Sequence, residues 1–115
     1  MKKMNFTNKL HKIVEERRLY LNPHLNINDL ARELTTNRTY ISNYFNREIN
    51  SSFNDYVNNL RLKEVEYLLR TTKENVANVA KLSGFNSLRT MQRAFVKKHK
   101  LTPTEYREIY KVVLK

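Results

Sequence analysis

One pattern of small, apolar and polar residues occurs twice in this chain, about fifty residues apart, and it leaves few folds open. In the first copy Ile27-Asn28-Asp29-Leu30-Ala31-Arg32-Glu33-Leu34 passes through Thr35-Thr36-Asn37 into Arg38-Thr39-Tyr40-Ile41-Ser42-Asn43-Tyr44-Phe45. In the second, Val76-Ala77-Asn78-Val79-Ala80-Lys81-Leu82 passes through Ser83-Gly84-Phe85-Asn86-Ser87 into Leu88-Arg89-Thr90-Met91-Gln92-Arg93-Ala94-Phe95. Ala31 falls on Ala80, Thr35 on Gly84, Ile41 on Met91 and Phe45 on Phe95, with one extra residue in the second turn. A short helix, a tight turn and a second helix is the unit that lays a helix into the DNA major groove. Two copies in one chain point to a reader with two heads.

Helical periodicity fills the rest. Phe6, Leu10, Ile13 and Val14 recur at helical spacing, which predicts a first helix from about Asn5 to Leu19. Leu21-Asn22-Pro23 ends it, because the residue before proline avoids the α region. Asn26 or Asn28 is placed to cap a second helix to about Leu34, and Asn37 a third over Arg38 to Glu48. Asn50 stands where a left-handed stop is needed. Ser51 or Ser52 caps a long fourth helix to about Arg70, roughly 27 Å at 1.5 Å per residue, with Phe53, Val57, Leu60, Val65, Leu68 and Leu69 on one face. A fifth helix follows over about Asn75 to Leu82, and Gly84, the only glycine, stands where the second turn requires positive φ. Asn86 or Ser87 opens a sixth helix to about His99, and Pro103 opens a last one through Tyr110. The expected class is all-α: seven helices in two homeodomain-like helix-turn-helix lobes, residues 1–50 and 71–115, joined by a linker helix at 51–70.

The charge is high and uneven. Lys plus Arg number 22 against 11 Asp plus Glu, a formal +11, yet no carboxylate lies between Glu74 and Glu105, where Lys81, Arg89, Arg93, Lys97, Lys98 and Lys100 all stand. A solvated helical face ordinarily mixes signs to gain i,i+4 pairs, so a whole segment without negative charge points to a polyanion facing it. The absence of cysteine excludes disulfides and thiolate metal sites. No apolar run approaches the length of a membrane span, so no membrane contact is expected of this segment.

These residues resemble the C-terminal DNA-binding domain of AraC/XylS-type bacterial transcription regulators over about Leu19 to Arg107. The likeness rests on Leu21-x-Pro23-x-Leu25, Phe53-x-x-Tyr56-Val57-x-x-Leu60-Arg61-Leu62, Ser83-Gly84-Phe85-Asn86-Ser87, Arg93-x-Phe95 and Leu101-Thr102-Pro103-x-Glu105-Tyr106-Arg107, in that order and spacing. The stretch Asn37 to Asn43 resembles members from Bacteroidota. Asn50 and Lys100 stand where the family often has glycine, and Met91 where it often has an aromatic. The resemblance implies a cytoplasmic bacterial regulator, double-stranded DNA as partner, RNA polymerase as a further one, and no cofactor or metal. Most members carry an N-terminal sensor or effector domain. One helix precedes the repeat here, so the chain is expected to be a small stand-alone regulator or an excised output domain.

In such units the exposed N-terminal part of the second helix reaches base edges. With Ile41 and Phe45 inward, that face of the first unit holds Arg38, Thr39, Ser42 and Asn43; with Met91 and Phe95 inward, the second holds Leu88, Arg89, Gln92 and Arg93. The family's base-reading positions map onto Thr39, Ser42 and Asn43 and onto Arg89, Gln92 and Arg93, so the two helices are expected to enter successive major-groove segments. Arg can donate two hydrogen bonds to guanine, and Asn or Gln can pair with adenine. Asn37, Asn86, Ser87, Lys97, Lys98 and Thr102 are the candidate phosphate contacts, although helix capping alone accounts for the identities of Asn37, Asn86 and Ser87. Arg61 is read as a brace for the linker helix.

Rival functions find less in the chain. His11, His24 and His99 are scattered, with no metal-ligand spacing, Gly-rich phosphate loop or strained nucleophile turn, so no enzyme is expected. RNA binding would call for an aromatic sheet platform or a GxxG loop, and neither is present. A non-specific basic helical module, binding RNA or shaping DNA, is the alternative kept open.

Overall fold

The duplicated pattern folds into duplicated geometry. In the computed structural model, which describes residues 5–112, seven α-helices follow one another: α1 Phe6–His11, α2 Ile27–Glu33, α3 Arg38–Tyr44, α4 Phe53–Thr71, α5 Val76–Leu82, α6 Leu88–His99 and α7 Pro103–Tyr110. No strand occurs among the described residues. The chain divides into two compact units, one up to Val57 and one from Asn58. α4 spans the division and, at 19 residues, is about 28 Å long.

Polar residues set the helix starts. Asn26, Asn37, Asn75, Ser87 and Thr102 each accept a hydrogen bond from the backbone N–H three residues on, and Ser52 does the same at the start of α4. Asn28 and Asn86 are not the caps. At α7 the arrangement is reciprocal: Thr102 Oγ1 accepts from the Glu105 N–H while a Glu105 carboxylate oxygen accepts from the Thr102 N–H, with Pro103 in the first turn.

The two turns within the repeats close in the same way. After α2, Thr35 N–H donates to Arg32 O and Thr36 N–H to Ala31 O; after α5, Gly84 N–H donates to Lys81 O and Phe85 N–H to Ala80 O. Both are Schellman stops, which need a left-handed residue at their centre. Gly84 supplies it at φ 89°, and Thr35, a β-branched residue, is held there at φ 55°. Asn50 and Lys100 end their helices left-handed at φ 56° and 57°, so neither glycine-like position needs a glycine.

Two helices depart from expectation, the first in length and the third in helix type. α1 passes into a π turn at Lys12–Glu16 and stops at Arg17, because Arg18 turns left-handed at φ 58°; Leu19–Leu21 form a separate 3-10 turn. α3 passes into a π turn at Phe45–Ile49 before the Asn50 stop.

The first unit buries Leu10, Val14, Leu30, Ala31, Leu34, Ile41, Phe45, Phe53 and Val57. Phe45 sits edge-on to Phe53 and Tyr56, with ring centroids 5.8 and 5.3 Å apart. The half-buried Tyr56 hydroxyl donates to Glu15 at 2.5 Å, and burial together with that carboxylate pushes its pKa well up. The second unit packs Leu62, Val65 and Leu69 of α4 against Val79, Ala80, Phe85, Met91, Phe95 and Tyr106. Full burial of each large apolar side chain contributes about 1.5–3 kcal/mol. Arg107 Nε donates to Leu69 O and Arg70 Nη1 to the Tyr106 hydroxyl, both at 3.1 Å, fixing α7 on the end of α4. Arg61 is buried, stays within 3.4 Å of Asn58 Oδ1 and lies 6.0 Å from the Phe85 ring centroid, the bracing place expected for it. Burial lowers its guanidinium pKa.

Candidate nucleic-acid interface

In each unit the buried residues of the second helix define which side faces outward. On α3, Ile41 and Phe45 are buried, and Arg38, Thr39 and Asn43 are exposed while Ser42 is half-buried at the flank. On α6, Met91 and Phe95 are buried, and Leu88, Arg89, Gln92 and Arg93 are exposed. Successive residues of an α-helix turn by about 100°. Asn43 and Arg93 therefore stand almost opposite the buried side, with Thr39 and Arg89 one turn earlier.

The electrostatics of α6 fit an anionic partner. Arg89, Arg93 and Lys97 pair with no carboxylate among the described residues. These three cations lie along one exposed side of the helix. Lys98 differs. Its ammonium lies 2.8 Å from Glu66 of α4, and the same carboxylate oxygen lies 2.8 Å from His99 Nε2. Burial alone would raise the Glu66 pKa, but the hydrogen bonds and charge of Lys98 and His99 outweigh it and hold the carboxyl below its usual value. The His99 ring packs at a tilt against Phe95 and Tyr106, with centroids 4.5 and 4.9 Å away. The sequence contains no nearby carboxylate for Lys98; the fold supplies one from 32 residues upstream.

The remaining candidates lie at helix starts. Asn37 accepts from Tyr40 N–H at 2.9 Å, and Ser87 accepts from Thr90 N–H at 3.1 Å. Their side chains act as caps. The Thr102 N–H is taken by Glu105, while Asn86 is exposed beside the α6 cap. Sequence reasoning passed over Tyr40, which is half exposed on α3, with its ring 5.1 Å from that of Phe6 on α1. Its signal was available in the helical register, one residue beyond Thr39.

A family model described as a helix-turn-helix domain matches residues 30–109, most of the chain, from within the first repeat through the whole of the second. The chain belongs to the AraC/XylS-type helix-turn-helix family. Among relatives of this AraC/XylS-type chain, the Msm operon regulatory protein of Streptococcus mutans is 29% identical over 84 residues, which are 73% of this chain and 30% of that protein. The chain thus spans less than a third of that relative's length. The C-terminal domain of the two-component response regulator yesN from Fusobacterium nucleatum superposes with a TM-score of 0.82 at 26% identity, covering 90% of this chain and 99% of that one. The DNA-binding domain of AdpA, a global transcriptional factor solved in complex with a target DNA, superposes with a TM-score of 0.79 at 22% identity, covering 89% and 92%. At that identity the AdpA likeness speaks for the fold.

Proposed function

We propose that this chain is a sequence-specific double-stranded DNA-binding module of a transcription regulator, with α3 and α6 each entering the major groove. The observation that carries the reading is the exposed side of α6, where Arg89, Gln92, Arg93 and Lys97 stand together with no ion-pair partner among the described residues, on a helix held down by Met91 and Phe95. Family membership and the AdpA complex support it. Thr39, Ser42 and Asn43 read bases from α3, with Arg38 at its first turn. Arg89, Gln92 and Arg93 read from α6, and Leu88 offers an apolar edge to a thymine methyl. Lys97 grips a phosphate. The starts of α3 and α6, at Asn37, Asn86 and Ser87, present backbone N–H groups to the phosphates beside them. Lys98 and Thr102 contribute less, because Glu66 holds the first and Glu105 the N–H of the second. A module of this kind works in the bacterial cytoplasm, either as a small regulator by itself or as the output part of a longer one.

Selection of bound sequences from a random duplex pool, followed by competition with duplex RNA at moderate salt, tests the reading. A defined duplex site and weak RNA competition are expected. Equal binding of RNA and of unselected DNA would favour the non-specific basic module instead.

A further inference from the structure

The register of the repeat reaches further than the residues so far assigned. Ile41 pairs with Met91, Phe45 with Phe95 and Asn43 with Arg93, and at the same offset Arg47 pairs with Lys97. Arg47 is exposed and pairs with no carboxylate among the described residues. It lies in the π turn Phe45–Ile49 that extends α3. A π turn takes more residues per revolution than an α-helix, so each step rotates by less than about 100°. Four α-helical steps from Asn43 would carry Arg47 about 40° past it; the wider turn brings it back toward the line of Asn43. A shallow cleft of about 190 Å³ lies between these residues, lined by Tyr40, Asn43, Tyr44, Arg47 and Glu48. Its aromatic wall is fixed from behind: Phe6 of α1 packs edge-on against Tyr40 at 5.1 Å and Tyr44 at 4.5 Å, and the Tyr44 hydroxyl is hydrogen-bonded to Thr7.

We propose that this cleft seats a DNA backbone phosphate on the Arg47 guanidinium, one turn along from Asn43, giving the first unit the grip that Lys97 gives the second. The inference rests on the DNA-binding reading above and adds a contact to it. The π turn is the device that aims Arg47, and among the described residues that line the cleft Glu48 is the one carboxylate, which would oppose an anion. An arginine also suits the site chemically, since its planar fork can hold two phosphate oxygens at once.

The test is the salt dependence of binding by the full chain to a selected duplex and to a scrambled one, for the unsubstituted protein, Arg47→Gln and Glu48→Gln. A phosphate contact makes Arg47→Gln lower the slope of log K against log salt by about 0.9 and weaken both duplexes by the same factor. Glu48→Gln should tighten both. An unchanged slope, or a loss confined to the selected duplex, overturns the phosphate assignment while leaving the DNA-binding reading in place. If the unsubstituted chain shows no salt-dependent binding to either duplex, the DNA-binding reading itself falls, and the Arg47 assignment with it.

Discussion

Thr35 and Gly84 occupy the same place in the two repeats, in the same left-handed conformation and the same hydrogen-bonded turn, so exchanging their chemistry should move stability in opposite directions. A residue bearing a Cβ pays about 1–2 kcal/mol in the left-handed region. Thr35→Gly removes that strain but returns about 0.4–1 kcal/mol of freedom to the unfolded chain. The net expectation is a gain of roughly 0.5–1 kcal/mol for the first unit. Gly84→Ala runs the other way, and Gly84 is also buried, so the new methyl group meets a packed interior. Overpacking typically adds about 1–3 kcal/mol, which brings the expected loss to about 2 kcal/mol or more. Urea unfolding followed by far-UV circular dichroism measures both, and about 1 kcal/mol should move the thermal midpoint by about 4–8 °C in a unit of this size. If Thr35→Gly destabilises as much as Gly84→Ala, left-handed strain is not what distinguishes the two turns.

Other expectations follow from the site. Arg93→Ala should cost about 1–3 kcal/mol on the selected site and relax preference at one base pair, as read by binding across base variants. Lys97→Ala should weaken all sequences alike and lower the salt slope by about 0.9, whereas Lys98→Ala, removing an ammonium already committed to Glu66, should change the slope by clearly less. Because the Glu66 pKa is lower folded than unfolded, its contribution is present above the unfolded carboxylate value, about 4.3, and is lost as pH falls through the folded value; Glu66→Gln should flatten the acid limb of the stability curve. Tyr56 is shifted up, so its contribution is complete below about pH 10 and is lost as pH rises beyond that; Tyr56→Phe should remove this alkaline dependence while weakening the tie to Glu15.

Much of the fold was legible because it is written locally. Each cap is a short polar residue three positions before the N–H it serves, and the buried side of α3 and α6 follows from Ile41, Phe45, Met91 and Phe95 at helical spacing. What escaped depends on contacts across the fold or on backbone choices that composition does not encode. The π turns at Lys12–Glu16 and Phe45–Ile49 contain ordinary helix-forming residues, and periodicity ran straight through them. Arg18 ends the first helix left-handed with no glycine or asparagine to announce it. Thr35 could have been assigned from its register with Gly84, although its side chain argues against that conformation. The interface divides in the same way. The exposed faces of α3 and α6 follow from periodicity, whereas the ion pair of Lys98 with Glu66 does not, because Glu66 lies far upstream in the chain.

The central claim is that two separate heads on one chain each read bases of one duplex. Asn43→Ala and Arg93→Ala, each measured against every single-base variant of the selected site, test it most directly. Loss of preference at two different positions, one for each substitution, is the outcome the two-headed reading requires. Loss at a single position for both, or a change from Arg93→Ala alone, would contradict it.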